Sequence, residues 1–136
     1  MTLKIYTDGG SKGNPGQSSI GMVFYFDGKK VFLYREDIGI ATNNIAEYTA
    51  VIRALEKIKN KKLNIKNVNE ISKIELYSDS RLLVNQVQGL FRVKNASIGE
   101  RIVQIKLLER AIGLPISYHL IPREKNTVAD GLVNDH

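Results

Sequence analysis

Ile5 to Gly16 reads IYTDGGSKGNPG, an apolar strand-like run, one aspartate and then a loop with four glycines. A phosphate-binding P-loop would need G-x-x-x-x-G-K-[ST] at the start of a helix, and a dinucleotide site would need G-x-G-x-x-G in the same setting. Neither pattern is present. Behind the loop comes Ser18 to Phe26, SSIGMVFYF, whose β-branched and aromatic residues predict a second strand. The loop is therefore either a hairpin turn or one wall of a metal site.

Further along, the elements fall into a regular order. Thr2 to Thr7, Ser18 to Phe26 and Val31 to Glu36 predict three antiparallel strands, the last two joined by Asp27-Gly28-Lys29-Lys30. Val51, Ile52, Leu55 and Ile58 recur at helical spacing and predict a helix over Asn44 to Lys59, followed by a basic loop from Asn60 to Asn69. Ile74 to Ser78 predicts a strand, Arg81 to Val87 a short helix and Gln88 to Asn95 a connector. Ile98, Ile102, Ile105, Leu108 and Ile112 mark a second long helix, stopped by Gly113 and Pro115. Ile116 to Ile121 is a fifth strand, and Asn126 or Thr127 opens a last short helix. The order βββαβααβα predicts an α/β fold, a mixed sheet flanked by helices.

Composition narrows the chemistry. The length of 136 residues predicts one domain, 1–136. No apolar run approaches a membrane span and the first residues have no signal-peptide core, so the expectation is a cytoplasmic protein without a membrane partner, and a monomer. There is no cysteine, and the two histidines are His119 and His136, so any metal must be a hard cation on oxygen ligands. A formal net charge of +6 favours a polyanionic partner such as nucleic acid.

Four acids then stand out. Tyr6-Thr7-Asp8-Gly9 and Tyr77-Ser78-Asp79-Ser80 each place an aspartate at the end of an apolar strand. If those strands pair in parallel and in register, their Cα atoms lie about 4.8 Å apart and the carboxylates project side by side. Glu47 and Asp130 lie near the starts of helices, where Asn44-x-x-Glu47 and Thr127-x-x-Asp130 have the form of capping boxes, as does Ser97-x-x-Glu100. For Ser97 and Glu100 the capping role is the expectation. Two strand-end aspartates and two helix-start acids can, however, converge at one edge of such a sheet, where ligands of open α/β sheets bind. Four carboxylates in one place require hard divalent cations, the constellation of two-metal phosphoryl chemistry.

TDGG at Thr7 to Gly10, TNNIAEY at Thr42 to Tyr48, YSDS at Tyr77 to Ser80 and REKNTVADGLVN at Arg123 to Asn134 resemble, in order and spacing, the four acidic motifs of ribonuclease H type 1. The resemblance covers nearly the whole chain and is to the compact form of archaeal and prokaryotic members. It implies a five-stranded mixed sheet with helices on both faces and Mg²⁺-dependent cleavage of the RNA strand of RNA/DNA hybrids, with two ions that Mn²⁺ can replace and with 5′-phosphate and 3′-hydroxyl products. It implies Asp8, Glu47, Asp79 and Asp130 as catalytic metal ligands. It further implies that Asn14, Asn43 and Asn44 contact the minor groove and the RNA 2′-hydroxyls, that Thr42 holds a DNA phosphate, and that Gly9 and Gly10 let the backbone approach the substrate. For Asn43 and Asn44 the alternative from the residues themselves is N-capping, by one of the two and alongside the substrate role.

The chain also departs from that family. Where many bacterial members carry a basic helix and loop, only QGLFRVKN, Gln88 to Asn95, is present, leaving Arg92 and Lys94 as weak substitutes. Many members have a histidine in the loop before the last acid; here that loop is Pro122-Arg123-Glu124-Lys125, and His119 falls within the fifth strand, where no role is assigned to it. Arg123 or Glu124 is the candidate to take over part of the loop's work. The last helix is short, so marginal packing of Asp130 is expected. Two rival readings use the same residues: a transposase, integrase or structure-specific nuclease built on this fold, and a hybrid- or RNA-binding module without chemistry.

Overall fold

Leu3 and Ile5 alternate with Lys4 and Tyr6 at the period of a half-buried strand, and in the computed structural model they lie in β1 (Thr2–Lys12) with Leu3 and Ile5 in the core. The structure describes residues 1–61 and 68–134. β1 pairs antiparallel with β2 (Gly16–Phe26), and β2 with β3 (Lys29–Ala41). Asp27 and Gly28, the residues between β2 and β3, both have positive φ, 54° and 75°, as a two-residue type I′ turn requires.

Parallel strands need crossovers, and the helical half of the sequence supplies them. α1 (Asn43–Lys59) leads to β4 (Lys73–Ser78), parallel to β1; α2 (Arg81–Val87) and α3 (Ala96–Ile112) lead to β5 (Ile116–Leu120), parallel to β4; α4 (Thr127–Asn134) follows. The sheet order is β3-β2-β1-β4-β5. This is the mixed five-stranded α/β sheet and the βββαβααβα order expected. Single 3₁₀ turns lie at Val68–Glu70 and Arg123–Lys125; the rest of the predicted basic loop, 62–67, lies outside the described residues.

One sheet face is covered by α1, with α3 packed against α1. Ala46, Ala50 and Ala54 give α1 a small-residue surface, so its axis lies close while Val51 and Leu55 fill the core. Each fully buried Leu or Ile of this layer contributes roughly 1.5–3 kcal/mol relative to exposure. The other face carries α4. Gly21 makes room for it, since a Cβ there would lie 2.8 Å from Leu132 Cβ and 2.9 Å from the Ala129 carbonyl oxygen. Ala129 and Val133 are buried beneath the helix, and its last carbonyls are taken by Ser19 Oγ (Val133, 3.0 Å) and Arg35 Nε (Leu132, 2.8 Å). The expected marginal packing of the last helix is thus not observed.

The main differences from the sequence reading are at element ends. β1 does not stop at Thr7: Asp8 to Lys12 pair with Gln17 to Gly21, and the chain turns at 13–15. The glycine-rich stretch is strand as far as Lys12, because its backbone hydrogen bonds are completed by β2 whatever its side chains favour. β3 likewise runs on to Ala41. α3 is capped by Asn95, whose Oδ1 accepts from Ile98 N–H at 3.1 Å. Ser97 is already helical and its hydroxyl accepts from Arg101, so the expected Ser97–Glu100 capping box does not form.

Candidate active site

The parallel register of β1 and β4 runs from Thr2↔Lys73 to Tyr6↔Tyr77. Two residues further on, the same register brings Asp8 beside Asp79. Below them on the same face the Tyr6 and Tyr77 rings stack at 4.7 Å and 14°, and His119 stacks on Tyr77 at 5.0 Å. His119 Nε2 also meets Ser117 Oγ at 2.8 Å, so this histidine is a packed neighbour in β5.

Glu47 arrives from α1. Its Oε1 accepts the Gly9 N–H at 2.6 Å, which fixes the carboxylate next to Asp8. The absent side chain of Gly9 is what allows this approach: a Cβ would lie 2.6 Å from Glu47 N and would overlap the Ala46 carbonyl. A Cβ on Gly10 would meet Val133 Cγ1 at 3.0 Å on the other face. The space a Cβ would take at both glycines is therefore filled by the protein's own helices, while their backbone lines the cleft. Glu47 is no capping residue, because α1 is capped by Thr42, whose Oγ1 accepts from Ile45 N–H at 3.2 Å.

One oxygen from each of Asp8, Glu47 and Asp79 lies within 4.8 Å of the other two, the candidate metal cluster among the described residues. Asp8 is buried. Burial and then the Asp79 carboxylate push it up to about 7, while its hydrogen bond with Glu47 pulls it down. Burial, and then the charges of Asp8 and Asp79, hold Glu47 well above the ordinary carboxylate range, with the Gly9 N–H pulling the other way. Carboxylates held together out of water each disfavour ionisation of the others, and a cation relieves that repulsion. The donor set is all carboxylate oxygen, which fits a hard divalent cation.

Asp130 lies at the rim of this cluster. Its Oδ1 accepts from Arg123 at 3.3 Å and from Asn134 Nδ2 at 2.8 Å, and its charge raises Asp8 a little further. Its N–H goes to the Asn126 carbonyl at 3.0 Å, so the Thr127–Asp130 capping box is not formed. The structure thus gathers three of the four predicted acids and sets the fourth beside them with two partners of its own.

The predicted contact residues flank the acids. Asn43 Oδ1 accepts from Ser11 N–H at 2.8 Å, and Asn43 N–H donates to Asn14 Oδ1 at 3.1 Å, tying the β1–β2 turn to the start of α1. Asn43 and Asn44 belong to the first turn of α1, and neither is its cap. A cleft of about 400 Å³ opens here, lined among others by Asp8, Asn43, Asn44, Glu47, Asp79 and Arg123. Arg35 and Asn134 also line it and were not anticipated. Arg35 lies opposite Gly21, which itself lies opposite Asp8, a row legible only once the register is known. Asn126, in sequence only a helix start, has an amide that donates to Asp79 Oδ2 at 3.3 Å. An asparagine immediately before a helix that carries a candidate acid is the signal that could have pointed to it.

A model of the RNase H family matches residues 1–112. The chain is 35% identical over 137 residues to the bifunctional protein Rv2228c of Mycobacterium tuberculosis, covering 99% of this chain and 35% of that protein, so it spans about a third of that relative's length. The crystal structure of RNase H1 from the halophilic archaeon Halobacterium salinarum superposes with a TM-score of 0.87 at 33% identity, over 99% of this chain and 96% of the other. That of LC11-RNase H1 in complex with an RNA/DNA hybrid gives 0.86 at 38% identity, over 98% and 94%.

Proposed function

The chain belongs to the RNase H family, and on that premise we propose that it is an endonuclease hydrolysing the RNA strand of RNA/DNA hybrids, leaving 5′-phosphate and 3′-hydroxyl ends. The observation that carries this reading is the cluster of Asp8, Glu47 and Asp79, three carboxylates whose oxygens lie within 4.8 Å of one another in a polar cleft. A relative at 38% identity has been solved with an RNA/DNA hybrid, which supports the same substrate here.

In this reading Asp8, Glu47, Asp79 and Asp130 would hold two Mg²⁺ ions, for which Mn²⁺ would be a substitute. When bound, such ions supply an activated water and neutralise the charge that develops on the phosphate. The chain's own work is positional. The Gly9 N–H holds Glu47 in place, and Asn134 and Arg123 hold Asp130. Asn14 and Asn43 each spend their side-chain oxygen on a backbone N–H, so their amide NH₂ groups are the donors left for a 2′-hydroxyl or sugar oxygen in the minor groove, with Asn44 beside them. Thr42 accepts from Ile45 with its oxygen, which leaves its hydroxyl proton for a DNA phosphate. Gly9 and Gly10 line the cleft floor and offer only backbone to the strand. Residues 1–136 act as one domain and as a monomer in the cytoplasm; no helix among the described residues is long and apolar enough to cross a membrane.

The test compares one sequence presented as RNA/DNA hybrid, single-stranded RNA, RNA duplex and DNA duplex, with the product ends mapped. Cleavage confined to the RNA of the hybrid, with 5′-phosphate ends, is expected. Cleavage of DNA duplex would move the assignment to the other nucleases of this fold, and tight hybrid binding without cleavage would make the chain a binding module.

A further inference from the structure

Asn126 is almost wholly buried, at 1% exposure, and lies at the junction of three elements. Its Nδ2 donates to the Thr7 carbonyl of β1 at 2.9 Å and to Asp79 Oδ2, just beyond β4, at 3.3 Å. Its own carbonyl accepts the N–H of Asp130 at 3.0 Å, in the first turn of α4. One residue therefore touches the strand that carries Asp8, the carboxylate of Asp79 and the backbone of Asp130.

The orientation of this amide is forced. Thr7 O and the Asp79 carboxylate are both acceptors, so the NH₂ must face them and Oδ1 must face away. There Oδ1 is buried and has no hydrogen-bond partner among the described residues. A buried acceptor without a partner costs stability. An apolar side chain of similar size would avoid that cost, so the asparagine is not explained by the packing of α4 alone. What it supplies, and an apolar residue would not, is a neutral pair of donors between a strand carbonyl and a carboxylate of the cluster. An amide fixes a cation-holding carboxylate in direction without adding a positive charge beside the cation.

We propose that Asn126 is a positioning residue for Asp79, fixing that carboxylate toward the cation site and tying it to the start of the helix that carries Asp130. The proposal rests on the reading of the cluster as a divalent-cation site. Removal of the amide leaves Asp79 free to rotate away from Asp8 and Glu47, so the loss falls on cation affinity and turnover and not on binding of the hybrid.

The experiment compares wild type, Asn126→Ala and Asn126→Leu, which keeps the approximate size and removes the donors without adding a charge. Mg²⁺ affinity is measured by calorimetry without substrate, kcat and KM are measured on an RNA/DNA hybrid, and folding is checked by circular dichroism and thermal melting. Both variants are expected to bind Mg²⁺ about tenfold more weakly and to lose roughly tenfold to a hundredfold in kcat at fixed Mg²⁺. KM for the hybrid is expected to stay within about threefold, with part of kcat restored by raising Mg²⁺. Wild-type Mg²⁺ affinity in either folded variant would overturn the proposal, as would a loss confined to KM. Should Asn126→Ala not fold, Asn126→Leu decides. A wild-type protein that neither binds Mg²⁺ nor cleaves the hybrid would instead overturn the functional reading itself.

Discussion

Asp8→Asn separates the two consequences of crowding carboxylates, because it removes a charge and keeps the shape. Asp8 is pushed from 3.8 to about 7 by burial and by Asp79, which corresponds to about 4 kcal/mol against the ionised form in the folded state. Because the folded value is raised, the folded chain holds a proton that the unfolded chain has already lost between about pH 4 and pH 7. Stability is therefore full below that window and falls as the pH rises through it. Above it, the wild-type protein in EDTA carries the whole penalty and the asparagine variant does not. Glu47 shares the repulsion, so about half of the penalty, roughly 2 kcal/mol, is the expected gain, or a rise in Tm of at least about 5 °C. Thermal melts in EDTA at pH 8 and pH 4 measure it: the variant should be the more stable at pH 8 and nearly equal at pH 4. Added Mg²⁺ should raise the wild-type Tm and leave that of the variant nearly unchanged, and the variant should not cleave a hybrid. An equal gain at both pH values, or none at pH 8, would refute the assignment of the raised Asp8 to charge crowding and burial.

Other perturbations follow from the same contacts. Gly9→Ala should cost roughly 3 kcal/mol in urea unfolding, since its Cβ meets the backbone of α1, and should also lower kcat through displaced Glu47. Thr42→Ala should cost about 1 kcal/mol by removing the cap of α1, with Thr42→Ser restoring it. Apparent Mg²⁺ affinity should fall about tenfold per pH unit as the pH drops below about 7, where Asp8 takes up a proton that competes with the cation; calorimetry from pH 5.5 to 8.5 would show this slope. His119→Ala should leave kcat within about twofold, because that ring is stacked on Tyr77 and bonded to Ser117 within β5.

Much of this was legible because two physical signals are local. The period-two alternation of Leu3 and Ile5, and the helical recurrence of Val51, Ile52 and Leu55, set the element order, and the paired Tyr-x-Asp segments placed Asp8 and Asp79 at matching depths of neighbouring parallel strands. Local signals failed where a tertiary partner decides. The Asp8 to Lys12 stretch is strand because β2 completes its hydrogen bonds, although glycines in isolation favour a turn. None of the capping-box patterns at Glu47, Asp130 and Ser97 forms: α1 and α3 are capped earlier, by Thr42 and Asn95, Glu47 takes the Gly9 N–H of β1, and Asp130 takes Arg123 and, within its own helix, Asn134. Gly9 and Gly10 suggested substrate access, and only the packed helices show that the missing side chains admit α1 and α4. Asn126 and Arg35 depend on register and long-range contact, which no spacing in the chain encodes.

The most direct test of the central claim follows one labelled RNA strand annealed to DNA and incubated with the protein in Mg²⁺, in EDTA, and in EDTA with Mg²⁺ then restored. Cleavage in Mg²⁺, its loss in EDTA and its return on restoring the cation are the predicted result. Cleavage that persists undiminished in EDTA, or an intact strand under all three conditions, would contradict the assignment of Asp8, Glu47 and Asp79 as a divalent-cation site for hydrolysis.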